Sequence, residues 1–93
     1  MKKEYVFNDI KYVLDRDDEN CFDFELTKES LTDYFNDYDY VFGDYAYNKL
    51  RLKGFCNKKN KLYKKINDIE ILEEYISNYC AYGCKWFLLK KEQ

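Results

Sequence analysis

Apolar residues in this chain recur mainly at every second position, in short bursts divided by charged turns, and take helical spacing in two places. Tyr5 to Phe7 and Ile10 to Leu14 therefore read as strand material. The polar run Asp15-Arg16-Asp17-Asp18-Glu19-Asn20 follows, and alternation resumes in Cys21-Phe22-Asp23-Phe24-Glu25, which predicts two antiparallel strands joined by an acidic turn. Leu31, Tyr34, Phe35 and Tyr38 keep helical spacing behind Thr27 or Ser30, and Ser30 with Asp33 resembles a capping box with the shorter acid. A first helix is expected over about residues 28 to 37. Tyr38 to Phe42 is β-prone, Gly43 to Tyr47 reads as a connection longer than a tight turn, and a strand from about 48 to 55 returns as a hairpin.

The polar stretch Asn57 to Lys65 carries five lysines and reads as an exposed loop. Ile69, Leu72, Tyr75, Ile76, Tyr79 and Cys80 then follow an i, i+3, i+4 pattern, with Asp68 near the start and Gly83 as the C-terminal cap. Cys84 to Lys90 supplies a final strand. The order is β-β-α-β-β-α-β, an α+β fold with a mainly antiparallel sheet and two helices, in a single domain spanning residues 1–93.

Composition changes this picture in two ways. Aromatic residues make up 20% of the chain, enough large side chains to fill one core. The 16 cationic side chains are 14 Lys and 2 Arg, and the chain has no Pro and no His, a bias typical of an AT-rich genome, so no lysine or aromatic is functional by abundance alone. Charge is also divided. Residues 1 to 48 hold five positive and thirteen negative side chains, a balance of −8, while residues 49 to 93 hold eleven and five, a balance of +6. Such a split either pairs across the fold or leaves an acidic and a basic face.

The basic character peaks between Tyr45 and Asn67, 23 residues with eight cations and no carboxylate. In Lys49-Leu50-Arg51-Leu52-Lys53-Gly54-Phe55 the cations fall on one strand face and the leucines on the other. Lys49, Arg51 and Lys53 would stand about 6.8 Å apart, comparable to phosphate spacing on an extended nucleic-acid strand. Lys58, Lys59 and Lys61 extend the patch into the loop, and Tyr47 or Phe55 could stack on bases; Tyr45 and Tyr63 also interleave with the charges. The competing role for Arg51 is a salt bridge to Asp44 or Asp39 that closes the hairpin.

Catalytic chemistry finds no foothold. Without His, no Ser/His or Cys/His pair can form, and the three isolated glycines build no phosphate-cradling loop. Cys21, Cys56, Cys80 and Cys84 lack the tight C-x-x-C knuckles of structural zinc sites, and Asp15, Asp17 and Glu19 start a calcium-loop pattern that fails at Asn20 and Leu26. No cofactor or metal is expected. The start Met1-Lys2-Lys3-Glu4-Tyr5 leads into charge rather than an apolar run, and Trp86-Phe87-Leu88-Leu89 is the longest wholly apolar stretch. No membrane span, a cytoplasmic location and reduced thiols are the expectation.

Three segments, Tyr38-Asp39-Tyr40-Val41-Phe42-Gly43-Asp44, Leu50-Arg51-Leu52-Lys53-Gly54-Phe55 and Tyr79-Cys80-Ala81-Tyr82-Gly83-Cys84, together resemble the YutD-like family of small bacterial proteins over about residues 38 to 90. Where that family usually shows Trp-Gly after the Gly-Asp, this chain has Tyr45-Ala46. The resemblance implies a compact α+β domain in a bacterial cytoplasm. It carries over no catalytic residue, and it marks Gly43, Asp44, Arg51, Gly54 and Phe55 as one structural or binding unit, with Gly83 a structural position. The function expected is a non-enzymatic binding module that contacts nucleic acid, or an assembly bearing it, through residues 49 to 65. The alternative is a protein–protein adaptor that docks a basic partner on its acidic half, Asp9 to Asp44.

Overall fold

The computed structural model describes residues 3–79 and 85–92. Five strands form one antiparallel sheet: β1 (Glu4–Phe7), β2 (Ile10–Asp17), β3 (Tyr40–Ala46), β4 (Lys49–Phe55) and β5 (Trp86–Lys91), in the spatial order β1-β2-β5-β3-β4. Helix α1 (Phe24–Ser30) covers one face, and α2 (Leu72–Tyr79) packs on the other. Expectation and structure therefore agree on an α+β domain with the order β-β-α-β-β-α-β.

The first expected hairpin is drawn differently. Strands 5–7 and 10–14 pair with each other, Phe7 opposite Ile10, rather than across the acidic turn. Asn8 and Asp9 make the reversal at φ 54° and 64°, a left-handed pair that short Asx side chains tolerate and that matches strand twist. β2 then runs on through the acidic residues to Asp17, with a register break between Leu14 and Arg16.

Residues 21 to 25 do not form a strand. Phe22 and Phe24 instead close an aromatic cluster with Tyr5, Phe7 and Phe87, ring centroids 4.9 to 5.6 Å apart in the closest pairs. Asp23 caps α1 there, its Oδ1 accepting from Leu26 N at 3.1 Å. The helix thus spans 24–30 rather than 28–37, and Thr27, an expected cap, is buried within it, its Oγ1 donating to Asp23 O at 2.7 Å. Leu31 ends the helix, and Asp33–Phe35 adds only one 3-10 turn.

The second hairpin is tighter than expected. β3 runs straight through Gly43 to Ala46, opposite Lys49, and Tyr47-Asn48 alone makes the turn, at φ 51° and 64°. Gly43 is required by contact rather than by torsion: a Cβ there would lie 2.2 Å from the Phe87 ring. Asp68 begins the second helical region as anticipated, its Oδ1 accepting from Glu70 N at 2.9 Å, with a 3-10 turn over Ile69–Ile71 before α2.

Successive residues of β5 serve opposite faces, which explains its unbroken apolar run. Phe87 and Leu89 join Phe7, Tyr12, Leu31, Phe35 and Val41 beneath α1, while Leu88 joins Phe42, Phe55 and Leu72 beneath α2. The last strand is Trp86–Lys91; Cys80, Gly83 and Cys84, which the sequence placed at the end of the second helix and the start of this strand, lie outside the described residues. Among the described residues no helix is long and apolar enough to cross a membrane.

Candidate functional site

β4 displays Lys49, Arg51 and Lys53 on the α2 face of the sheet, with Leu50 and Leu52 on the α1 face, so the alternation places each side chain where its polarity suits. Two of the three cations are held by the chain itself. Arg51 lies directly opposite Asp44, and its guanidinium engages that carboxylate in a fork, Nη2 to Oδ2 at 2.6 Å and Nε to Oδ1 at 3.1 Å. The Asp44 side chain is only 5% exposed, so the pair is the carboxylate's main compensation for burial. Its hydrogen bond pushes the Arg51 pKa above the ordinary value.

Lys53 lays its ammonium 5.4 Å from the Phe55 ring centroid and 5.5 Å from that of Tyr75, a cation–π arrangement that anchors α2 to the sheet. Phe55 itself is 0% exposed and lies edge-on to Phe42, so it is a core residue and cannot stack on a base. Tyr45 is equally committed, its hydroxyl donating to Cys21 O at 2.8 Å. Lys49 remains exposed near the hairpin tip, where Tyr47 is 98% exposed.

The lysine-rich loop is scaffolded by short polar side chains. Asp39 Oδ2 accepts from Asn57 N at 2.8 Å and from Asn60 Nδ2 at 3.1 Å, and Asn67 bridges Lys64 N and Leu62 O. Tyr63 donates to Asp68 at 2.8 Å, which with the Glu70 amide holds that carboxyl below the usual range. Lys58 pairs with Glu70 at 3.3 Å, and Lys59 and Lys61 are exposed. Of the basic patch, the strand cations are thus largely internal ties, and the loop lysines are the ones turned to solvent.

Two features escape the linear reading. Between residues 18 and 37 the layer around α1 exposes Glu19, Asp23, Glu25, Glu29, Asp33 and Asp37 with Lys28 as the single cation; the charge count hinted at this, but only the fold gathers it beside one helix. A cleft of about 260 Å³ beside β4 is lined by Tyr34, Tyr38, Leu52, Gly54, Lys64 and Ile66. Tyr34 and Ile66 are each 67% exposed there. Tyr34 has helical-core spacing, and its exposure follows from α1 ending before it.

The two described cysteines are not activated. Burial, with Asp17 and Asp18 nearby, pushes the Cys21 thiol up to about 11, and burial raises Cys56. Across the sheet, Arg16 of β2 bonds Glu73 of α2 at 2.6 Å, a second tie between the sheet and that helix, and lies 4.8 Å from the ring centroid of Trp86 on β5.

A family model described as "Putative antitoxin YutD-like" matches residues 6–90. "Putative antitoxin YutD" of Bacillus subtilis (strain 168) is 43% identical over 70 residues, covering 75% of this chain and 77% of the relative. The solution NMR structure of protein yutD from B. subtilis aligns with a TM-score of 0.80 at 34% identity, covering 98% of this chain and 83% of that one.

Proposed function

The chain belongs to the YutD-like family, and from that premise we propose that it is a non-catalytic, cytoplasmic protein-binding module whose acidic α1 layer docks a basic partner. The observation that carries this reading is the run of exposed carboxylates Glu19, Asp23, Glu25, Glu29, Asp33 and Asp37, met by Lys28 alone, while Arg51, Lys53 and Lys58 are engaged by their own chain. A surface of one sign steers an oppositely charged partner and rejects like-charged ones. The relatives' description as a "Putative antitoxin" is compatible with this reading, in which the chain would act by binding rather than by catalysis.

The test is affinity capture from nuclease-treated bacterial lysate, comparing the wild-type chain with the Glu25→Lys/Glu29→Lys/Asp33→Lys variant. A basic protein retained by the first, lost by the second and weakened by salt supports the reading. Capture that disappears on nuclease treatment overturns it.

One observation favours nucleic acid as a second reading: Lys49, Lys59, Lys61 and the 98% exposed Tyr47 remain open to solvent. Fluorescence anisotropy with single-stranded RNA and DNA separates the two. Binding at low salt that falls steeply with added salt supports this reading, and no binding at low salt removes it.

A further inference from the structure

We propose that the outer edge of β4 is a docking site for an acidic, extended peptide segment of a partner protein, which adds to the sheet as a sixth strand and places an apolar side chain in the Tyr34–Ile66 cleft. The cleft adjoins the end of the acidic α1 layer, where Tyr34 lies between Asp33 and Asp37, but the β4 edge lies outside that layer and the proposal does not rest on that reading.

The backbone supplies the first argument. β4 is an edge strand. Cys56, just beyond it, turns both its amide groups outward, its N–H donating to Asn67 O at 2.8 Å and its carbonyl accepting from Ile69 N at 3.0 Å. The chain itself therefore already pairs along this edge, as a single parallel bridge between Cys56 and Asp68. At two residues per pleat, the same outward orientation falls to Gly54, Leu52 and Leu50. Among the described residues no hydrogen bond reaches those outward groups. An extended segment alongside Leu50 and Leu52, both half-buried, would receive main-chain hydrogen bonds of the kind Cys56 already makes and end beside Gly54, which is buried against Tyr38.

The cleft supplies side-chain recognition. It opens directly beside Leu52 and Gly54, and its rim holds the two most exposed apolar side chains after Tyr47. An incoming strand points alternate side chains to each face, so a residue on the α1 face of the sheet would reach Tyr34, Tyr38 and Ile66.

Charge selects the occupant. Lys64 borders the cleft, Lys49 lies farther along the strand, and Lys61 and Lys65 are exposed in the loop that supplies Ile66. Lysines on an edge strand keep two copies of that edge apart, because antiparallel self-pairing sets like charges opposite one another. The same lysines favour a strand that carries glutamate or aspartate at those positions. Arg51 and Lys53 stay out of this selection, Arg51 because Asp44 neutralises it and Lys53 because its ammonium lies over Phe55 and Tyr75 on the α2 face.

The probe is an N-acetylated synthetic peptide that alternates glutamate with valine around one central phenylalanine, titrated into isotope-labelled full-length protein and followed by amide NMR. Saturable shifts at Leu50, Leu52 and Gly54, with slowed hydrogen exchange at those three amides, are expected. Replacing glutamate by lysine, or methylating alternate peptide nitrogens, should abolish them. The Lys64→Glu/Ile66→Glu variant changes only exposed side chains; it should keep the wild-type spectrum elsewhere and bind the probe at least about tenfold more weakly. No shift at the three amides with millimolar peptide, equal binding by the N-methylated peptide, or tighter occupation of the same amides by single-stranded RNA would each overturn the proposal.

Discussion

Individual residues here earn their identity from what touches them. Tyr12 is 0% exposed, and its hydroxyl has no hydrogen-bond partner among the described residues; burial also raises its pKa. A buried, unpaired hydroxyl costs about 1–3 kcal/mol of desolvation. Tyr12→Phe is therefore expected to keep or raise stability, by up to about 1 kcal/mol, read as the midpoint of urea unfolding. Gly43 and Gly54 make the opposite case. A Cβ at Gly43 would lie 2.2 Å from the tip of the fully buried Phe87 ring, and one at Gly54 would lie 2.4 Å from Tyr38 Cγ, at the root of a ring whose rotation does not move that atom. Gly43→Ala and Gly54→Ala should each cost about 2–3 kcal/mol, both measured by the same unfolding assay. None of these three environments could be read from the chain, because each is set by a residue distant in sequence.

At the scale of elements, the β3–β4 hairpin combines a weak turn with a strong cross-strand tie. Tyr47 occupies a left-handed position without a side-chain contact to offset it, and asparagine takes that conformation more readily. Tyr47→Asn should raise stability by about 0.5–1 kcal/mol, seen as a higher Tm. The Asp44–Arg51 pair behaves differently. Arg51→Leu strands a buried carboxylate and should cost about 2–3 kcal/mol in urea unfolding, while the double variant with Asp44→Leu should recover much of that loss. That salt bridge was legible as one of two readings of Arg51, with Asp44 or Asp39 as its partner, but the register that sets position 44 opposite position 51 was not, because residues 43 to 47 read as a connection. The position of α1 was not, because alternation in residues 21 to 25 has no way to register the aromatic cluster that Phe22 and Phe24 complete.

Across the whole molecule, charge is the property most open to adjustment by solvent. The chain holds 18 carboxylates against 16 cations, so acid converts a nearly balanced protein into one carrying only positive side chains. Asp68 sharpens the effect. The Glu70 amide and the Tyr63 hydroxyl lower its folded pKa below the ordinary 3.8, so its contribution is complete above that value and is lost as pH falls through the folded one. Urea midpoints should therefore decline on acidification below about pH 4, with a shallower decline in Asp68→Asn. A wild-type midpoint independent of pH down to that range would contradict the ties drawn around the loop. The acidic α1 layer predicts a matching dependence in solution: association with a basic partner should slow as salt is raised.

By itself the sequence determined the α+β class, the broad order of strands and helices, the face each β4 residue occupies, and the polar character of the loop at 57 to 65. These follow from local periodicity and turn chemistry, which neighbouring residues impose on one another. Only the tertiary structure decided which strands pair, where α1 begins, and which cations remain available. Pairing Ile10 with Phe7, burying Phe55 beneath α2 and closing Arg51 onto Asp44 all depend on residues brought together through space. The gathering of carboxylates around α1 and the open edge of β4 arise in the same way: sequence lists the groups, and only packing decides which of them still face water.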